Sequence, residues 1–237
     1  MPPTTVTLKD NVFLTMDDVQ DWLGLSTEAC EKDGGRLMRK LTRIMNSITD
    51  MAERYVEGPI KTRTYTEFRD GDSSNTIIPQ YYPIREVVEI RVDFNRAFPD
   101  TSIVPAGNWI IRGPADPTFP QQMRGTDIVL RDDNDTSIVG RIFTGSTVGS
   151  IKLTYTAGWG RDQTEIPSDM IMAMLMAVEY YYRLEDSKDL NVRSKSVNGQ
   201  SISRIQGLPK EVTDILDTYV DYTLGFNNRP QTNTFTL

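Results

Sequence analysis

Residues 170–178 read Met-Ile-Met-Ala-Met-Leu-Met-Ala-Val, nine apolar residues in a row. At roughly 100° per residue such a run covers the whole circumference of a helix, so every side of that helix needs cover. The flanks support a helix. Pro167 suits a first helical position, and the run is preceded by a predicted strand over 150–156 and a turn at Gly158-Trp159-Gly160. A chain of 237 residues is expected to bury one side of this helix in its own core and the other against a second copy of itself. Met170, Met172, Met174 and Met176, with Tyr180 and Tyr181, are the candidate subunit-interface residues, because methionine repacks readily against a partner. The central core helix of a monomer would carry the same pattern.

Composition narrows the chemistry. The apolar and charged fractions, 38% and 25%, are those of a folded globular chain, and no apolar run reaches the ~18 residues of a membrane span. Residues 1–10 lack the basic-then-apolar order of a secretory signal. A lone Cys30 permits no intrachain disulfide, which fits a reducing cytoplasm as the place of assembly. Histidine is absent, which removes Ser-His-Asp and Cys-His catalysis and histidine metal sites. Any catalysis would rest on carboxylates, Lys, Tyr or Ser. The acidic clusters Asp70-Gly71-Asp72 and Asp132-Asp133-Asn134-Asp135 lack calcium-loop spacing and read as turns. No cofactor or metal is expected. The formal charge of −7 argues against tight nucleic-acid binding but suits a wall past which DNA slides.

The period of the apolar pattern changes along the chain. Residues up to about 11 read as an extended arm. A short helix over 16–23 follows, with Thr15 and Asp18 spaced as a capping box. A second helical stretch opens at Ser26 or Thr27, with a break or kink expected at Gly34-Gly35. Leu37, Leu41, Ile44, Met45, Ile48, Met51, Ala52 and Tyr55 then recur at helical spacing up to a stop at Gly58-Pro59. Strands are predicted over 62–68, 76–78, 84–93, 108–112, 127–131, 138–143 and 150–156. A long polar loop over 187–207 precedes a last helix from Leu208-Pro209 carrying Val212, Ile215, Leu216, Tyr219 and Val220. The fold class is therefore α+β: a helical bundle core, N-terminal helices packed on C-terminal ones, with an inserted antiparallel β region. The expected division is an arm (1–11), a helical core (12–60 and 161–224), a β insertion (61–160) and a tail (225–237).

Three charged or aromatic features stand out. Arg36, Arg39, Lys40 and Arg43 fall at i, i+3, i+4 and i+7 and form one basic stripe. It meets acidic groups of a neighbour or faces DNA, unless it is only a solvated face. The 187–207 loop carries Lys188, Arg193, Lys195 and Arg204, with no acid after Asp189 and a tight-turn signal at Asn198-Gly199. It reads as a contact to DNA or to an acidic neighbour, or as a solvent loop. Phe226 and Phe235 lie in the polar tail, which either folds onto a partner or remains a free end.

The order of blocks resembles the head–tail connector (adaptor, head completion) family of tailed bacteriophages. The matching residues are Arg54-Tyr55-Val56-Glu57-Gly58-Pro59-Ile60, Thr76-Ile77-Ile78-Pro79, Tyr82-Pro83-Ile84-Arg85-Glu86-Val87, the Tyr-Thr-Ala-Gly-Trp-Gly run at 155–160, Ile166-Pro167, and Tyr180-Tyr181-Tyr182-Arg183. Residues 194–203 resemble a polar hairpin found at this point in connectors. The likeness spans about residues 12–222. It implies a non-enzymatic virion neck protein: a ring of about a dozen copies beneath the portal protein, continuing the double-stranded DNA channel and receiving a tail or stopper protein. It also implies that the tail with Phe226 and Phe235 touches the portal. The rival readings are a carboxylate-based cell-wall hydrolase, and a tail-completion or stopper protein working as a monomer or small oligomer.

Overall fold

The computed structural model describes residues 6–70, 75–112, 127–130, 148–186, 194–197, 200–203 and 207–220. Helix α1 (Met16–Leu23) starts with the expected capping box: Thr15 accepts from the Asp18 N–H, and the Asp18 carboxylate accepts from the Thr15 N–H. It ends at Gly24, whose φ of 66° is the left-handed conformation glycine adopts without penalty. Helix α2 (Thr27–Tyr55) is capped by Ser26 and runs unbroken through Gly34-Gly35; Gly35, at φ 71°, supplies a local distortion rather than an end.

The strands follow the alternating segments. They are β1 (Arg63–Arg69), β2 (Thr76–Ile77), β3 (Ile84–Val92), β4 (Trp109–Arg112), β5 (Asp127–Leu130) and β6 (Ile151–Ala157). Two antiparallel three-stranded sheets form, in the orders β1-β6-β3 and β2-β5-β4. In the first, the register sets Tyr65 opposite Tyr155 and Thr66 opposite Thr154, and β3 departs from it at two bulges. The predicted strand over 138–143 lies outside the described residues. Helix α3 (Ser168–Asp186) carries the apolar run. Within the long polar segment over 187–207, β7 (Ser194–Val197) and β8 (Gln200–Ser203) pair as the hairpin that residues 194–203 resemble. Helix α4 (Lys210–Leu216) closes the described chain with a 3-10 turn, Asp217–Tyr219. The α+β class with antiparallel sheets thus holds.

Two apolar clusters form. One gathers residues of α1 to α4 together with Val12, Phe13, Leu14 and Trp159; the other lies among the strands around Ile90, Ile128, Leu153 and Tyr155. The Gly158-Trp159-Gly160 turn sits where β6 leaves for the helices. Thr62 N–H donates to the Gly160 carbonyl (2.7 Å), Trp159 N–H to Ile60 (2.8 Å) and Gly158 N–H to Pro83 (3.0 Å). The backbones are so close that a Cβ on Gly158 would lie 2.6 Å from Thr62 Cα, and one on Gly160 would lie 2.6 Å from Ile166 Cγ1. Both positions therefore require glycine. Between them Trp159 inserts into the helical cluster, edge-on to Tyr219 with ring centroids 4.8 Å apart.

Candidate assembly surface

Helix α3 has two unlike sides. Met170, Ala173, Met174, Ala177 and Val178 are wholly buried by their own chain. Met172, two residues from either buried methionine, is 50% exposed, and Met176 and Tyr180 are half-buried. One side is thus buried in the chain's own core, as expected; of the candidate interface residues, Met170 and Met174 lie on that inner side. Val12, Phe13 and Leu14, read from sequence as lying beside an extended arm, belong to the cluster that encloses them, as does Trp159 from the turn. Full burial of each methionine is worth about 1.5–3 kcal/mol to the monomer. Tyr181 is also committed internally: its hydroxyl donates to the Gly207 carbonyl (2.9 Å), and burial pushes its ionisation upward.

The outward side of α3 has a neighbour that the sequence did not single out. Trp22, at the end of α1, is 39% exposed, and its indole N–H donates to Glu179 (3.0 Å). Glu179 also pairs with Arg183 (2.5 Å), which keeps the indole on the α3 surface. A tryptophan at the last turn of a predicted helix was the only available signal. Beside it α1 presents Asp17, Asp18 and Asp21 and no basic residue.

On α2 the basic stripe faces away from the buried row Leu41, Met45 and Ile48. Arg36 and Arg43 are exposed, whereas Arg39 and Lys40 are half-buried. The Lys40 ammonium sits 4.4 Å from the Tyr182 ring centroid, a cation–π contact that ties the stripe to the end of α3. Lys195 lies on β7, its backbone opposite Ile202. Lys188, Arg193, Arg204, Phe226 and Phe235 fall outside the described residues.

In one open cleft, about 630 Å³ and lined among others by Asp50, Glu53, Glu57, Arg63 and Tyr65, the acids Asp50 and Glu53 serve as anchors. Glu53 accepts from Asn11 (2.9 Å), the Ile60 N–H (3.2 Å) and Arg63 (2.7 Å). Asp50 pairs with Lys9 and accepts from Asn11; the hydrogen bond from Lys9 holds its carboxyl below the usual range. These bonds, with Lys9 N–H to Asn46 and Asn46 to the Thr7 carbonyl, both 3.0 Å, lay residues 7–11 along α2. Among the described residues no group of three or more acidic or thiol side chains gathers as a metal site. Asp70 accepts from the Gly149 N–H (2.6 Å), a contact between distant parts of the chain; Gly71, Asp72 and residues 132–135 lie outside the described residues.

The sheets carry a second exposed surface. Phe68 is 59% and Phe94 42% exposed, and Phe68 packs against Phe98 with centroids 5.5 Å apart. Phe68 stands on β1, and the loop that presents Phe94 and Phe98 is fixed by Asp93. Its carboxylate accepts from the N–H groups of Asn95 (2.9 Å), Ala97 (2.8 Å) and Phe98 (2.8 Å), which hold its ionisation low. Arg91 donates to the Phe98 carbonyl (2.7 Å). Arg96 and Phe98 adopt φ of 60° and 47°, values costly for side chains with a Cβ.

The chain is similar to known proteins in part of its sequence and in its fold. The family model for head completion protein matches residues 129–222. A chain from the neck of an empty gene transfer agent particle, computed with C6 symmetry, is similar over 91% of this chain and 92% of its own, at 16% identity and a TM-score of 0.55. A chain from the neck of the native particle, computed with C12 symmetry, is similar over 91% and 92%, at 14% identity and a TM-score of 0.54. A chain from the virion of the native particle covers 92% and 95%, at 14% identity and a TM-score of 0.54. No curated protein matches the chain in sequence. The resemblance to head–tail connectors read from the sequence therefore holds, and the fold is one shared with chains of phage-like necks.

Proposed function

We propose that this chain is a structural protein of a phage-like virion neck, repeated as a ring that joins head to tail. One coincidence carries the reading. The segment that matches the head completion family contains the Gly158-Trp159-Gly160 joint and α3, and it lies within a fold shared over nine-tenths of the chain with neck chains. Fold alone does not specify function, so the weight rests on this agreement between sequence family and architecture. Those neck particles were computed with C6 and C12 symmetry, which supports a ring for this chain as well.

The finer parts follow from the same reading. The helices of 12–60 and 161–224 form a bundle that scaffolds the ring, the 61–160 region is an insertion upon it, and residues 1–11 and 225–237 are contact segments. About a dozen copies bind the portal protein on one side and a tail or stopper protein on the other, and double-stranded DNA passes through. The chain performs no catalysis in this role. A net charge of −7 suits such a channel, because an acidic wall does not hold phosphate. Lateral contact uses the outward side of α3, with Met172, Met176 and Tyr180. The test is to mix the full-length chain with the portal of its own particle and follow it by sedimentation and negative-stain microscopy. Rings that travel with the portal are expected. A chain that stays monomeric with the portal present, and that is missing from the necks of purified particles, would overturn the proposal.

A further inference from the structure

Resting on the ring reading above, we infer that the lateral contact is heterologous and charge-matched: the acidic, apolar face made by α1 and the outward side of α3 docks on the basic stripe of α2 in the next copy. Three observations lead there. First, the two surfaces have opposite signs. Helix α1 shows Asp17, Asp18 and Asp21 with no basic residue, and on the outward row of α3 Arg183 is paired with Glu179, so the acids of α1 set the sign of that face; α2 from residue 36 to 43 shows Arg36, Arg39, Lys40 and Arg43 with no acid. Second, the acidic face carries apolar anchors, the half-exposed Met172 and Trp22, with the indole held in place by Glu179. A rigid tryptophan and a methionine rimmed by charge make the centre of a contact patch. Third, the two surfaces point in different directions. On α2 the stripe lies about opposite Leu41, Met45 and Ile48; on α3 Met172 and Met176 lie about opposite Met174 and Val178. Buried residues of both helices share one cluster, so each outward row faces away from that cluster on its own side.

The charge pattern then decides the symmetry. A two-fold contact through either surface would set like charges against like, which repel, whereas unlike surfaces attract. Because the two surfaces point in different directions, one two-fold contact cannot bring both together; a head-to-tail arrangement pairs acid with base, and head-to-tail contacts that close give rings. The occupant of each surface is thus a second copy of this chain.

The experiment is a charge swap in the full-length chain, read as ring fraction by mass photometry, with circular dichroism confirming the fold. The pair Asp17→Lys and Asp21→Lys makes both surfaces basic; the pair Arg36→Glu and Arg43→Glu makes both acidic. Each pair alone should lower the ring fraction at least about tenfold relative to wild type. Mixing the two variants, or combining all four substitutions in one chain, should restore rings. The milder pair Asp17→Asn and Asp21→Asn, which spares the first turn of α1 a lysine, should give a smaller loss in the same direction. Rings that persist at wild-type levels in both single-sign variants overturn the charge-matched contact and leave the ring reading standing. A wild-type chain that forms no ring, alone or with the portal, overturns that reading and the contact with it.

Discussion

The helical side and the sheet side of this molecule dispose of their large apolar residues in opposite ways. Around α3, Met170, Met174, Leu41 and Ile48 are fully enclosed, and the outer surface is left mainly to charge, with Met172 and Trp22 as isolated anchors. On the sheets and their turns, Phe68, Phe94, Val88 and Val148 remain largely exposed, and Val148 at 66% is the most exposed large apolar residue among the described residues. The helices are stabilised from within by burial. The exposed tip of the sheet is shaped by polar anchors, Asp93 and Arg91, that hold an otherwise costly loop. A surface of the first kind selects partners by charge and register, and one of the second kind offers preshaped apolar area. Single substitutions on the two sides should therefore fail differently.

The largest effect is expected at Met174. Met174→Asp places an unpaired carboxylate where nothing else is exposed, at a cost of several kcal/mol against a total stability of about 5–15 kcal/mol. The protein should lose its cooperative thermal transition by circular dichroism. Met172→Asp, on the other side of the same helix, should shift stability by no more than about 0.5 kcal/mol. Equal melting curves for the two variants would remove the distinction between inner and outer sides of α3.

Next comes the joint between the two sides. Gly158 sits at φ 137°, and an added Cβ meets backbone rather than a side chain that can move aside. Gly158→Ala should cost at least about 1–3 kcal/mol in backbone strain, with the clash added to that. Because Trp159 is carried into the helical cluster by this turn, its near-ultraviolet circular dichroism should change together with the melting temperature. A variant that melts like wild type would show that the joint has slack.

Tyr155 measures the sheet side by a smaller amount. Its hydroxyl accepts from the Tyr81 N–H (3.0 Å), and burial, aided by Glu67, pushes its own ionisation far up. Tyr155→Phe leaves that N–H without its acceptor and should cost about 1–3 kcal/mol in chemical denaturation, with the helical content unchanged.

What could be read from the sequence divides along the same line. Local rules worked where the interaction is local. The Thr15–Asp18 cap, the glycine after Leu23, the alternating strands among the described residues and the Gly-Trp-Gly turn are where spacing places them. The hairpin of β7 and β8 agrees with the resemblance of 194–203 to a connector hairpin and with the tight-turn signal of Asn198-Gly199 in the sequence, although the apolar pattern around it is weak. Periodicity also identified α3 as a helix needing cover on all sides. It did not say who supplies the cover, because Val12–Leu14 and Trp159 join the cluster of Met174 from distant parts of the chain and belong to no periodic segment of their own. Trp22 went unread for the same reason, since its importance rests on Glu179, 157 residues away. The Asp93 clamp looked like the end of a strand, because side-chain acceptance of three backbone N–H groups has no sequence period.

That clamp gives the smallest and most specific expectation. The Asp93 carboxylate is held below its ordinary value of 3.8, first by the N–H of Asn95 and then by those of Phe98 and Ala97. A carboxyl whose ionisation is lower in the folded than in the unfolded state adds stability that is complete above the ordinary value and is lost as pH falls through the lowered one. Above about pH 5 the loop should thus stay closed, and acidification below 3.8 should open it. Amide exchange of Ala97 and Phe98, corrected for intrinsic rates, should accelerate over that interval. Asp93→Asn, which cannot ionise, should exchange faster at neutral pH and lose the added acid sensitivity. Acid protonates other carboxylates too, Asp50 among them, so the difference between wild type and variant isolates the clamp. If that difference stays flat with pH, the ionised form of Asp93 is not what shapes the tip, and the contrast between a surface built by burial and one built by polar anchors loses its strongest support.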